Sequence, residues 1–292
     1  MSRRSIPPAA CLPALLLMMV VVQPDGALAA DASCRVITVW NAQCSGGTRY
    51  WWDNMVIEWY DAITDGSYIF GHGPQAYGRR GSKINGAIVD SDFTDASVVS
   101  WGNDAAYGRP DAADAYMIGL HGIDYSVNGR WLARVRVDES GSGNCNSYQR
   151  HMQFGDFDLE FLHLSSCFSM DSQDWWSEWN GSFDGAHQID GFHGIMWIGS
   201  GRVGDYRDFA DDAFWTSISS AWLDNMYDNN ASNGYDQCPV ARNVGSNSAD
   251  SSIRMSFERY NLVFSDPPGL GTPRNHRVRY IQGCDPKGKG AL

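Results

Sequence analysis

After its first thirty residues the chain has no apolar run approaching the roughly 20 residues that a membrane helix needs, so no integral span is expected once those residues are removed. It is also poor in positive charge, with 22 Lys and Arg against 34 Asp and Glu, for a formal net charge of -12. Nucleic acid is held through clustered Lys and Arg, and that partner class is disfavoured. No HExxH or paired-cysteine spacing is present, so no metal centre is expected. Ser165-Ser166 lacks the G-x-S-x-G frame of a serine hydrolase elbow. The acid-rich loops could bind calcium, but no complete loop pattern occurs: residues 228–234 place their glycine one position late for an EF-hand. No internal repeat is visible, and no cofactor is expected.

What the first thirty residues do contain is the pattern of an export signal. Arg3 and Arg4 open it, an apolar run follows over 12–22, and Ala27-Leu28-Ala29 supplies small residues for cleavage. Residues 1–29 therefore read as a signal peptide, and the protein as secreted, periplasmic or extracellular. Six cysteines remain beyond it: Cys34, Cys44, Cys145, Cys167, Cys238 and Cys284. In an exported chain they suggest disulfides, with pairings that the sequence leaves open. Five of them lie in polar, Gly- or Asn-rich stretches, whereas Cys167 closes an apolar run. If Cys167 is free, a second cysteine must be free as well.

The 292 residues suffice for one large domain, and no linker forces a split, so 31–266 is expected to form a single α/β domain. Strands are expected over 35–40, 115–122, 131–137, 159–167, 191–198 and 253–264. Asn128-Gly129 is a hairpin turn signal. Apolar residues at helical spacing predict helices over 51–63, 168–179 and 211–227. Residues 70–84 read as loop, and 267–292, rich in Pro, Gly and Lys, as a loosely ordered tail. Alternating strands and helices favour an α/β sandwich with a mostly parallel sheet. The abundant tryptophans and tyrosines fit helix-on-sheet packing first, although surface aromatics can also stack on sugars.

Two apolar runs end in chemically capable side chains: A-Y-M-I-G-L-H-G closes on His121-Gly122, and D-L-E-F-L-H-L-S-S-C closes on Cys167. Reactive groups in open α/β sheets gather beyond the carboxyl ends of the strands, so these runs could set an imidazole beside a thiol. A thiol at a strand-to-helix junction would feel the positive helix end, and an adjacent imidazolium would lower its pKa further. Amides at that turn and at Gly122 could hold an acyl-transfer oxyanion. His163 lies four residues before Cys167 on one strand, roughly 13 Å away at about 3.3 Å per residue, and is out of reach. His193, in G-F-H-G-I, could line the same edge and is the rival base. His72 and His276 fall in loops.

A hydrophobic strand ending in His-Gly, followed some 45 residues later by one ending in a small residue and Cys, resembles the arrangement of the caspase, gingipain and clostripain superfamily of cysteine peptidases. Over about 36–265, F-G-D-F-D-L-E-F-L-H-L-S-S-C, F-D-G-A-H-Q-I-D-G-F-H-G and the D-D-A-F-W segment resemble an uncharacterised exported bacterial family with a gingipain-like fold. The resemblance implies a caspase-like three-layer sandwich with a mostly parallel central sheet. It implies His121 as general base and acid, Cys167 as nucleophile, the Gly122 and Cys167 amides as oxyanion hole, and a polypeptide substrate. Ser166 stands where many members carry Ala, and no residue matches the specificity pocket. Two other readings stand beside an endopeptidase working through a thioester. One is a catalytically inactive binding or surface-interaction protein on the same fold. The other is a carbohydrate-binding or carbohydrate-active protein.

Overall fold

The computed structural model describes residues 30–40, 44, 47–69, 71–86, 88–125, 130–134, 145–171 and 179–292. Along the chain run β1 (Asp31–Val36), α1 (Trp52–Ile63), β2 (Gly78–Ile84), β3 (Ala115–Gly119), β4 (Asp124–Tyr125), β5 (Arg130–Arg134), β6 (Asn146–Tyr148) and β7 (Phe161–Ser165). They are followed by β8 (Gln188–His193), α2 (Val203–Asp212), α3 (Ile218–Met226), β9 (Asp228–Ser232), β10 (Tyr235–Gly245), α4 (Ser248–Phe257) and β11 (Asn275–Tyr280). The central sheet has the order β11-β10-β8-β7-β3-β1-β2, with β9 paired to β10. From β2 to β8 every pairing is parallel, and β10, β11 and β9 join antiparallel. The molecule is thus a mixed α/β protein with a mostly parallel central sheet flanked by helices.

Side chains alternate across that sheet, as strand geometry requires. Phe161, His163 and Ser165 of β7 turn toward the helices, where His163 meets Trp59 of α1, Phe209 of α2 and Trp222 of α3. On β10, Gln237 and Asn243 face the same way and donate to backbone carbonyls of α3 and α4. Among the described residues all four α-helices form one layer on this face. The opposite face is covered by 3-10 turns and irregular segments: Tyr116 of β3 donates to the Gly108 carbonyl, and the Arg242 guanidinium of β10 lies over the Phe183 ring.

The helices form along apolar stripes, and α3 and α4 also start at side-chain N-caps. Trp52, Met55, Val56, Trp59 and Ile63 form the buried face of α1. Its seat on the sheet depends on Gly119, where a Cβ would come within 2.7 Å of Val36 and 2.9 Å of Val56. The single helix expected over 211–227 is two: α2 ends at Asp212, and Ser217 restarts the chain as the N-cap of α3, accepting from the Ser220 amide. The apolar period bridges the break because Phe214, in the turn between the helices, is buried like Ile218, Trp222 and Met226 of α3. The strand expected over 253–264 begins as helix α4, for which Asn247 supplies the N-cap through the Ala249 and Asp250 amides. Residues 78–84, read as loop, are the edge strand β2, whose alternation is hidden because only one flank is paired.

The C-terminal segment also departs from expectation. Rather than a loose tail, 267–292 contributes β11, a disulfide between Cys284 and Cys238, and a closing bond from the Leu292 amide to the Cys284 carbonyl. The second disulfide joins Cys44 and Cys145, leaving Cys34 and Cys167 as free thiols. The hairpin turn at Asn128-Gly129 lies outside the described residues, but β4 and β5 pair antiparallel on either side of it. Residues 1–29 and 172–178 also lie outside them, and with them the signal peptide and most of the helix expected over 168–179.

Candidate active site

Strands β3 and β7 are neighbours in parallel register, with Gly119 opposite Ser165, and the Leu120 amide extends the ladder to the Ser165 carbonyl at 3.3 Å. His121 and Cys167 each stand two residues beyond those last partners. Both therefore leave the sheet at the same level, on adjacent strands, at the carboxyl edge. His121 is half-buried, with its ring 4.4 Å from that of Trp40 and 5.6 Å, edge-on, from that of Trp52. Two indoles thus fix the plane of the imidazole. Beneath it, Trp52 Nε1 donates to Ser165 Oγ at 2.8 Å, and that hydroxyl shares a 2.6 Å hydrogen bond with Tyr206. A buried polar link from α1 through β7 to α2 supports the floor of the site.

Cys167 is half-buried, and its thiol lies 3.7 Å from the Met196 carbonyl, to which it donates. Burial pushes the thiol up to about 11; hydrogen bonding with the Met196 and Cys167 backbone and the charge of Arg49 offset only part of this. Sequence reasoning expects the opposite direction, from a helix amino end beneath the sulfur. The described residues after Cys167 instead form a turn, with Phe168 at φ 55°, and its amide is already bonded to the Gly194 carbonyl at 2.7 Å. This geometry favours the protonated thiol. Gly122, the other expected oxyanion donor, is buried directly after His121.

The rival histidines serve other ends. His193 has partners on both ring nitrogens: its Nε2 lies 2.9 Å from the Gly290 carbonyl and its Nδ1 3.3 Å from Asp171. His163 is fully buried, with Nδ1 2.9 Å from Asp190 and Nε2 2.7 Å from the Tyr260 hydroxyl. His187 meets Glu258 at 2.6 Å, and His72 stacks on Phe214 at 3.6 Å and meets Asp211 at 3.1 Å. The large tryptophans are structural, since Trp52, Trp59, Trp179 and Trp222 are buried and each indole N–H donates inside the protein.

A cavity of about 370 Å³ opens beside the site, between the end of β1 and the start of α1; its lining includes Thr38, Thr48, Arg49, Tyr50, Trp51 and Asp53. Trp51, the residue before α1, holds φ 73° there, a conformation costly for a bulky side chain. No local pattern signals this cavity, because its walls are brought together by the Val39–Thr48 bridge just beyond β1.

The acid-rich loops are mostly satisfied from within. Asp92 pairs with Arg35 at 3.0 Å and Arg109 at 2.9 Å, and Asp228 pairs with Arg202 at the start of the β9 hairpin. One group has cation-binding spacing: carboxylate oxygens of Asp31, Asp114 and Asp158 lie within 4.8 Å of one another at the amino edge of the sheet. Arg80 already pairs with Asp31 at 2.8 Å, and that edge is the one opposite His121 and Cys167.

The fold and site define a mixed α/β protein with a histidine and a free cysteine at adjacent strand ends. Residues 75–255, more than half of the chain, match a family model described as a domain of unknown function, DUF6345, and the chain belongs to that family. No curated protein matches the chain. The matched stretch begins just before β2 and ends in α4, so it contains both His121 and Cys167.

Proposed function

We propose that the chain is an exported cysteine endopeptidase on a caspase-like sandwich. The observation that supports this reading is the parallel pairing of β3 with β7 in a register that matches Gly119 to Ser165, each two residues before His121 and Cys167. His121 would take the thiol proton as the sulfur attacks the scissile carbonyl carbon. It would then give that proton to the leaving amine as the C–N bond breaks. Water, deprotonated by His121, would attack the thioester, releasing the new carboxylate and restoring the thiol. The negative oxygen of each tetrahedral intermediate would rest on the Gly122 and Cys167 amides. The two disulfides support an oxidising compartment, and no described helix is long and apolar enough to cross a membrane.

The upward shift of the Cys167 thiol favours a second reading, a binding protein on the same fold in which the strand ends are architectural. Labelling with iodoacetamide separates the two without a substrate. Rapid labelling of Cys167 at pH 6 to 7 that slows in His121→Ala supports the peptidase. An unactivated profile, identical in His121→Ala, supports the binding protein.

A further inference from the structure

The last residues of the chain are bound to the parts of the fold that hold Cys167. The Ile195 amide donates to the Lys287 carbonyl at 3.1 Å, and Pro286 bridges to Asp236. Gly288, at φ 92°, lies against the Phe168 ring, so closely that a Cβ would sit 3.1 Å from it. Lys289 Nζ is 2.9 Å from Asp171, with the two side chains 10% and 2% exposed, and His193 Nε2 meets the Gly290 carbonyl at 2.9 Å. Each of these partners except Asp236 belongs to one of two segments. The first is the turn that follows Cys167, from Phe168 to Asp171. The second, 193–197, carries Met196, whose carbonyl receives the Cys167 thiol. The segments are also tied to each other, through the Phe168 amide on Gly194 at 2.7 Å and the Gly194 amide on Asp171 at 3.0 Å. The C-terminal residues lie across that junction and close it.

We propose that residues 286–290 form a resting strap, and that proteolytic cutting after Lys287 or Lys289 releases the turn behind Cys167 and raises the reactivity of its thiol. This rests on the reading of Cys167 as a nucleophile. The chemistry of the segment suits the role. Lys287 and Gly288 are exposed, so their peptide bond lies at the surface within reach of a lysine-directed peptidase. The Cys238–Cys284 disulfide lies upstream of the cut and keeps β11 in place. Cutting after Lys287 removes the Lys289 charge from Asp171, cutting after either lysine removes the Gly290 carbonyl from His193, and both leave the sheet intact. Of the three lysines in the chain, the remaining one, Lys83, sits within β2.

The test is limited digestion of the folded protein with a lysine-specific endopeptidase, followed by the rate of Cys167 alkylation at pH 7, read by mass. Loss of the C-terminal peptide is expected to speed alkylation about tenfold, as a locally opened segment would. Lys289→Met, which keeps the packing of the stem and removes the charge, is expected to give a smaller acceleration in the uncut chain. A chain ending at Asp285 should match the digested protein if it folds. Unchanged or slower alkylation in the digested protein and in Lys289→Met overturns the strap, and a fall in melting temperature alone would mark the segment as merely structural. Fast, His121-dependent labelling of the intact chain that digestion leaves unaltered would retain the peptidase and remove the strap. Acceleration on digestion with no peptide cleavage would do the reverse.

Discussion

His163 Nδ1 lies 2.9 Å from Asp190 while its Nε2 lies 2.7 Å from the hydroxyl of Tyr260, which also accepts from Trp59 Nε1 at 3.2 Å. The chain Asp190–His163–Tyr260–Trp59 is buried throughout, so it has the form of a catalytic relay but no access to substrate. It ties β8, β7 and α1 to the segment after α4. Removing one partner of a buried pair leaves the other uncompensated, at a cost of about 3–5 kcal/mol. Asp190→Ala is expected to lose stability of that order in urea unfolding. The alkylation rate of Cys167 in the folded variant should stay that of the parent. A change in Cys167 reactivity with little loss of stability would instead make this relay part of the site.

Stability should fall as pH rises from 7 to 9. Burial, reinforced by Asp156, pushes the Asp111 carboxyl up to about 9; burial, reinforced by Asp114 and Asp158, pushes Glu160 up to about 10. Their unfolded values are about 4, so the folded state holds protons that the unfolded state has released. The stability from these groups is complete below about pH 4 and is lost progressively as pH rises toward their folded values. Thermal unfolding at pH 7, 8 and 9 is expected to give a falling series. Glu160→Gln should flatten it, and a series as steep in the variant as in the parent would remove Glu160 as its source.

Close approach of α1 to the sheet is set at one atom. An added Cβ at Gly119 would meet Val36 at 2.7 Å and Val56 at 2.9 Å, both buried. Gly119→Ala is expected to cost about 1–3 kcal/mol, the usual range for an overpacked core. Because α1 carries Trp52, whose ring and N–H hold His121 and Ser165, the same substitution should slow any His121-dependent labelling of Cys167. Parent-like stability would mean that the helix can shift freely.

The parts of this architecture that could be read from the sequence are those fixed by local pattern. The apolar runs into His121 and Cys167 are strands because each side chain along them is buried on one face or the other of the sheet. The stripe from Trp52 to Ile63 is a helix because its spacing leaves one face apolar. What was missed depends on distant partners. β10 is long and buried, yet reads poorly because Gln237, Asn243 and Arg242 donate to α3, α4 and the turn at Asn180. The C-terminal segment reads as loose because its Gly, Pro and Lys residues are ordered by a disulfide, by Asp171 and by Phe168, none of them nearby in sequence. Of the candidate site, the strand ends were legible. The environment of the thiol was not, since the turn after Cys167 and the Met196 carbonyl come from elsewhere.

The pH profile of Cys167 alkylation follows from that environment. With the thiol pushed up to about 11 by burial, the intact chain is expected to label slowly at pH 7 and to gain about tenfold per pH unit up to pH 9 without a plateau. Arg49 is a positive side chain that draws the value down. Arg49→Gln should therefore slow labelling at every pH without changing the slope, because it lowers the thiolate fraction by a constant factor while the solution stays below the pKa. A plateau beginning near pH 7 in the parent would mean that His121 already pairs with the sulfur in the intact chain. The downward pull would then come from the imidazolium, and Arg49→Gln would have little effect. The two patterns separate a thiol held in reserve from one already activated.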